Sequence, residues 1–171
     1  EQMEAEMKLI KEMGVNFIRL GHYQQSDIIL RLCDQLGILV WEEIPWCRGG
    51  LGGEKYQAQA RRMLTNMITQ HRNHPSVILW GLGNENDWPN DFSTFEQSAI
   101  RAFMKELNDL SHQLDPSRMT SIRRCDFCND IVDVYSLHLG RLVSRTIYRL
   151  QEYFGERDET GETFPACRMG R

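Results

Sequence analysis

Apolar positions along the chain recur with two periods that alternate from one end to the other. Met3, Met7, Ile10 and Met13 fall on one helical face, with Glu and Lys elsewhere, which predicts an amphipathic helix over residues 1–13 stopped by Gly14. Residues 16–20 then read as a short strand running into Gly21-His22-Tyr23. Ser26 is placed to cap a second helix through Leu36, with Ile28, Ile29, Leu32 and Cys33 inward, and Gly37 closes it. A strand over 38–41 ends in Glu42-Glu43-Ile44-Pro45-Trp46. A third helix over 55–72 turns Ala60, Met63, Leu64, Met67 and Ile68 inward and stops at His74-Pro75. The run from Val77 to Leu82 is too short for a buried helix and reads as a strand covered on both faces.

The second half repeats the scheme. A long helix over 92–114 carries the stripe Phe95, Ile100, Phe103, Leu107 and Leu110, followed by a turn at 115–118 and a weak strand over 119–122. Residues 131–139 read as a strand with His138 at its end, 142–154 as a helix and 155–161 as a charged loop. Helix and strand alternate with no hairpin signal between strands, which implies a parallel sheet with right-handed crossovers. About five strands fit either an open doubly wound sheet or part of an eight-stranded barrel. No GxGxxG follows the first strand, which counts against a dinucleotide fold.

Composition narrows the function classes. The 171 residues are 41% hydrophobic and 26% charged, with a formal net charge of −4, so no electrostatic case exists for nucleic acid or an anionic membrane surface. No apolar run approaches the roughly 20 residues of a membrane span. The chain opens inside a helix without an initiator Met or a basic-then-apolar leader, and is expected to be a fragment of a longer protein. Five scattered cysteines argue against a disulfide framework, and Cys125-Asp-Phe-Cys128 without a second such pair reads as loop cysteines rather than a metal site. The glycine-rich stretch 48–53 lacks the Lys-Ser/Thr of a phosphate loop and is expected to form a flexible loop over an active-site mouth.

The chemistry gathers where the strands end: Arg19 and His22-Tyr23, Glu42-Glu43 and Trp46, Asn84-Glu85 with Asp87 and Trp88, Arg123, and His138. In α/β sheets and barrels that end hosts the active site. Acids, bases, an amide and aromatic rings on one rim suit a carbohydrate, and cleaving a glycosidic bond needs one carboxylic acid to protonate the leaving oxygen and a second group facing the anomeric carbon. Asn84-Glu85 as a simple cap of the next element is the plainer alternative.

Three ordered blocks carry a resemblance. They are residues 16–23 (NFIRLGHY), residues 32–45 (LCDQLGILVWEEIP) and residues 71–85 (HRNHPSVILWGLGNE), and they resemble glycoside hydrolase family 2, which includes β-galactosidases, β-glucuronidases and β-mannosidases. The resemblance implies an incomplete (β/α)8 TIM barrel of about five to six βα units, roughly strands 2 to 6 with helices outside. Residues 1–171 would be one partial catalytic domain lacking the first and last strands. It implies a retaining hydrolase of β-linked sugars, with β-galactosidase the first choice, an oligosaccharide β-glycoside as substrate and the remaining domains of a parent enzyme as partners. No cofactor or metal is expected.

By the same resemblance Glu85 is the acid/base and Asn84 bonds the sugar 2-hydroxyl. Arg19 and His22 shape the floor and wall of the site, Glu43 bonds within the rim or pairs with Arg19, and His138 lines the pocket. Trp80 belongs to the barrel core. The chain departs from the family where relatives carry the nucleophile in a Glu-x-Gly pattern, because residues 164–170 hold no Glu. Leu139-Gly140-Arg141 also stands where relatives place a Tyr. The alternative is a catalytically inactive fragment that binds carbohydrate or is only structural. An unrelated flavodoxin-like module, with helices on both faces of an open sheet, is the third option.

Overall fold

The computed structural model of the chain describes residues 2–89 and 95–136. Within them run α1 (Gln2–Glu12), β1 (Phe17–Leu20), α2 (Asp27–Leu36), β2 (Leu39–Glu43), α3 (Glu54–His71), β3 (Val77–Asn84), α4 (Gln97–Leu114), β4 (Met119–Arg123) and β5 (Val134–Ser136). The five strands form one sheet in the order β1-β2-β3-β4-β5, and every pair is parallel. Each connection therefore steps in the same direction. With right-handed crossovers that direction puts the helices on a single side of the sheet, as in a segment of a barrel. A doubly wound sheet reverses direction partway, so the flavodoxin-like option does not fit.

Period two along the strands separates the two faces. Ile18, Leu20, Val40, Trp80, Leu82 and Ile122 point to the helices and join the core with Leu64, Met67, Ile68, Ile100, Phe103 and Leu107. The alternate positions, Phe17, Arg19, Leu39, Trp41, Glu43, Leu79 and Gly81, form the inner face. At the lower end of that face Phe17, Leu39 and Met119 remain 40, 43 and 51% exposed. They occupy the level that side chains from further strands fill in a closed barrel.

Local signals explain most boundaries. The Ser26 hydroxyl accepts from the Ile28 amide as the cap of α2, and Gly37 ends that helix in the left-handed region at φ 62°. Trp80 is fully buried and its ring N–H donates to Asp115 across 3.1 Å. Burial alone would raise the Asp115 carboxyl, but bonds from Ser117, Arg118 and Trp80 win and bring it down to about 2.

Several expectations shift. α4 begins at Gln97 rather than residue 92, and Phe95 precedes it, its ring 6.1 Å from that of Phe127. β5 starts at Val134, after turns over 131–133, rather than at residue 131. His138, the expected helix over 142–154, the charged loop and residues 164–171 lie outside the described residues.

Gly81 shows why a small residue is needed in mid-strand. A Cβ there would meet the Trp41 ring nitrogen at 2.5 Å and the Glu43 Cβ at 2.9 Å. Gly81→Ala is expected to destabilise the domain by about 1–3 kcal/mol through overpacking. Gly53→Ala, where an added Cβ meets nothing within 4 Å, should be nearly neutral by comparison. Urea unfolding of the two variants side by side checks the difference, and equal midpoints would contradict the packing account.

Candidate functional site

The C-terminal ends of β1 to β4 bring five of the expected side chains into one bonded chain. Glu43, the last residue of β2, is fully buried, and an ionised carboxylate in that position requires partners. Arg19 of β1 supplies them: Nη2 donates to both carboxylate oxygens at 2.9 and 2.7 Å, and Nε to one of them at 3.0 Å. Nδ1 of His22 stands 2.9 Å from the same carboxylate. Burial is the largest influence on Glu43 and lifts its pKa, while Arg19 and His22 pull it down. The rim bond and the ion pair with Arg19, set out as alternatives for Glu43, are thus one arrangement.

Arg19 also reaches the next strand. Its Nη2 donates to Oδ1 of Asn84 at 2.8 Å, and Nη1 of Arg123 donates to the same oxygen at 3.3 Å. Two guanidiniums on Oδ1 fix the amide so that Nδ2 is the remaining donor, directed at the Cys47 sulfur 3.2 Å away. Arg123 continues to Glu85, 2.8 Å from Oε1, and Arg124 lies 3.9 Å from that oxygen. The linked set runs His22, Glu43, Arg19, Asn84, Arg123, Glu85.

The backbone is shaped to present these groups. Glu85, Arg48 and Arg124 all take positive φ, at 54, 66 and 56°, a conformation uncommon outside glycine that clusters at functional sites. Main-chain bonds hold them there: the Glu85 amide donates to the Arg123 carbonyl at 2.8 Å and the Arg48 amide to that of Asn84 at 2.7 Å. The Gly21–His22 peptide is cis. Trp88, half-buried beyond Glu85, has the Arg124 guanidinium 4.9 Å and the Arg48 guanidinium 5.8 Å from its ring centre.

Other rim residues are placed differently from their neighbours in sequence. Glu42 turns to the helix side, fully buried, where His71 Nδ1 lies 2.8 Å away and the Gln25 amide donates to it at 2.8 Å. It ties the end of α3 to the loop after β1. Trp46 is 1% exposed and donates to the Gly50 carbonyl at 2.9 Å, which makes it core rather than a sugar platform. The first part of the glycine-rich stretch is packed, with Gly49 and Gly50 buried and a Cβ on Gly49 striking the Phe95 ring at 2.5 Å, whereas Arg48, Gly52 and Gly53 are exposed. Cys125 and Cys128 are buried free thiols, and the hydrogen bond with Cys128, followed by burial, pushes the Cys125 thiol up. Among the described residues no group of three or more His, Cys, Asp or Glu is arranged to hold a metal ion.

Sequence reading placed Arg123 on the rim without a role and passed over Arg124 and Cys47. The doublet Arg123-Arg124 at the end of a strand was the available signal.

Comparison with known proteins identifies the family and its fold. The family model described as glycosyl hydrolases family 2, TIM barrel domain, matches residues 1–162. A putative β-glucuronidase of Formosa agariphila is 51% identical over 136 residues, 79% of this chain and 16% of that protein. The β-galactosidase of Thermoanaerobacterium thermosulfurigenes is 34% identical over 160 residues, 91% of this chain and 20% of that protein. Among solved structures, the apo form of Bacteroides uniformis β-glucuronidase 3 shares 80% identity with a TM-score of 0.77, covering 78% of this chain and 17% of its own. Parabacteroides merdae β-glucuronidase with glycerol in its active site shares 67% identity with a TM-score of 0.79, covering 88% and 20%. The chain thus spans about a sixth to a fifth of the proteins it matches.

The Arg19–Glu43 pair generates a prediction. Arg19→Met leaves Glu43 buried with His22 as its remaining partner among those described, and is expected to cost about 3–5 kcal/mol. Adding Glu43→Gln should return a good part of the thermal midpoint. A double variant no more stable than Arg19→Met would show that the pair is not held together by charge.

Proposed function

This chain belongs to glycosyl hydrolase family 2, and from that premise we propose that the protein carrying it hydrolyses β-linked glucuronides with retention, using Glu85 as acid/base. The observation that carries the reading is the joined pair Asn84-Glu85 at the C-terminal end of β3, with Glu85 held 2.8 Å from Arg123.

In the first step a nucleophile of the enzyme, which this chain does not identify, attacks the anomeric carbon to form a glycosyl-enzyme while the Glu85 carboxylic acid gives its proton to the departing glycosidic oxygen. In the second, water attacks the anomeric carbon, the bond to the nucleophile breaks, and the Glu85 carboxylate takes the water's proton. Asn84 offers Nδ2 to the sugar 2-hydroxyl, and Arg19, His22 and Glu43 form the floor and wall, a role His138 would share. Glu43 does not serve as the nucleophile in this reading, since both its oxygens are engaged by Arg19.

Glucuronide rather than galactoside is favoured by two observations. The matches reported above at 51% identity or more are glucuronidases by name, whereas the galactosidase stands at 34%. The rim also carries the guanidiniums of Arg19, Arg123 and Arg124 against Glu43, Glu85 and Asp87, and that of Arg48 over the Trp88 ring, a concentration of guanidiniums that suits a sugar bearing a carboxylate.

Glu85→Gln in the full-length protein should lower kcat/KM by about 10²–10⁴ for an alkyl β-glucuronide, whose leaving group needs the proton. A 4-nitrophenyl β-glucuronide, whose leaving group departs unaided, should be far less affected in glycosylation. Small and equal losses on both substrates would remove Glu85 from the acid role. Binding without hydrolysis by the unsubstituted protein would favour the carbohydrate-binding alternative.

A further inference from the structure

We propose that Arg123 is the positioning residue of the acid/base: one guanidinium nitrogen holds the Glu85 carboxylate and the Asn84 amide together. This inference rests on the reading of Glu85 as acid/base and adds a residue to it.

Nη1 of Arg123 lies 2.8 Å from Oε1 of Glu85 and 3.3 Å from Oδ1 of Asn84. Arginine is a donor only and stays charged, so both oxygens accept from it. The same nitrogen couples the two substrate-facing groups, because a shift of Glu85 along the rim pulls on the oxygen that orients the Asn84 amide.

The backbone supports the assignment. Asn84 and Arg123 are register partners of the parallel β3–β4 pair, and the Glu85 amide donates to the Arg123 carbonyl at 2.8 Å. Main chain and side chain of one residue thus fix both the left-handed backbone and the carboxylate of Glu85.

The charges around Glu85 give Arg123 a chemical consequence. From β4 come Arg123 and, at 3.9 Å, Arg124, which itself lies 3.2 Å from Asp87 in the loop after β3. From β1 and β2 come Arg19, His22 and Glu43, linked through Asn84. A cation 2.8 Å from the carboxylate favours its ionised form. That form is produced when Glu85 gives its proton to the leaving oxygen, and it is needed when water gives up its proton in the second step. Arg123 itself exchanges no proton.

The test compares Arg123→Gln, Arg123→Lys and, as a control on the helix side, Arg101→Gln in the full-length protein. The readout is the pH dependence of kcat/KM on 4-nitrophenyl and methyl β-glucuronides. Removing the charge raises the pH at which the acid ionises, so the basic limb for Arg123→Gln should move up by roughly one to three units. Arg123→Lys keeps the charge but loses the planar fork. Its limb should stay near the original position while kcat/KM falls about tenfold or more. Arg101→Gln should change neither. An unshifted limb in Arg123→Gln, or Arg123→Lys with unchanged kcat/KM, would overturn the proposal, and the second reading decides if the glutamine variant does not fold. A full-length protein inactive on both glucuronides would instead sink the functional reading, and this inference with it.

Discussion

A carboxylate with no exposure to solvent costs several kcal/mol unless it is paired, and Glu43 sets that requirement at the centre of the rim. Arg19 answers it with three donor contacts from the neighbouring strand. Because a guanidinium carries more donors than one carboxylate can use, the same Arg19 also holds Asn84, and Asn84 in turn meets Arg123 and Glu85. The site is thus assembled from one strand to the next by shared acceptors. Strand register is what brings them within reach, so the chemistry depends on the parallel sheet being built correctly.

That sheet has its own constraint. Trp41, Glu43 and the backbone of Glu42 crowd the position opposite Gly81, and the Asn86 side chain crowds Gly83. Small residues in β3 let large polar and aromatic groups of β2 lie against it, at some cost in strand propensity. The helix side shows the reverse arrangement: the buried Glu42–His71 and Asp115–Arg118 contacts tie loops to helix ends. Rim rigidity and substrate-facing polarity thus come from opposite faces of the same strands.

Much of this was legible in the residues. The Ser26 cap, the Gly37 stop and the apolar run at 77–82 are local signals that mark their elements within about two residues, whereas the stripe of the long helix starts α4 at residue 92 rather than at Gln97. Alternation without hairpins correctly implied parallel strands. What could not be read were facts that depend on long-range contact. Glu42 and Glu43 are adjacent and chemically identical, yet strand pleating sends one to His71 and the other to Arg19. Trp46 stands among the rim residues in sequence, yet it packs against Phe103, 5.1 Å between ring centres, in the core. Arg123 lacked a role because its partners lie 38 and 39 residues away. The first choice of β-galactosidase rests on family prevalence, since discrimination among the family's sugars depends on loops rather than on the strand ends.

The central claim is that Glu85 faces the leaving group, on the opposite side of the sugar from the nucleophile. Azide added to a Glu85→Ala variant of the full-length protein tests it through stereochemistry. Azide would enter the space left by the shortened side chain and attack the glycosyl-enzyme from the leaving-group side. The account predicts faster turnover and a β-glucuronosyl azide, identified by NMR. An α-azide would mean that Glu85 is the nucleophile, and turnover indifferent to azide would mean that it is neither.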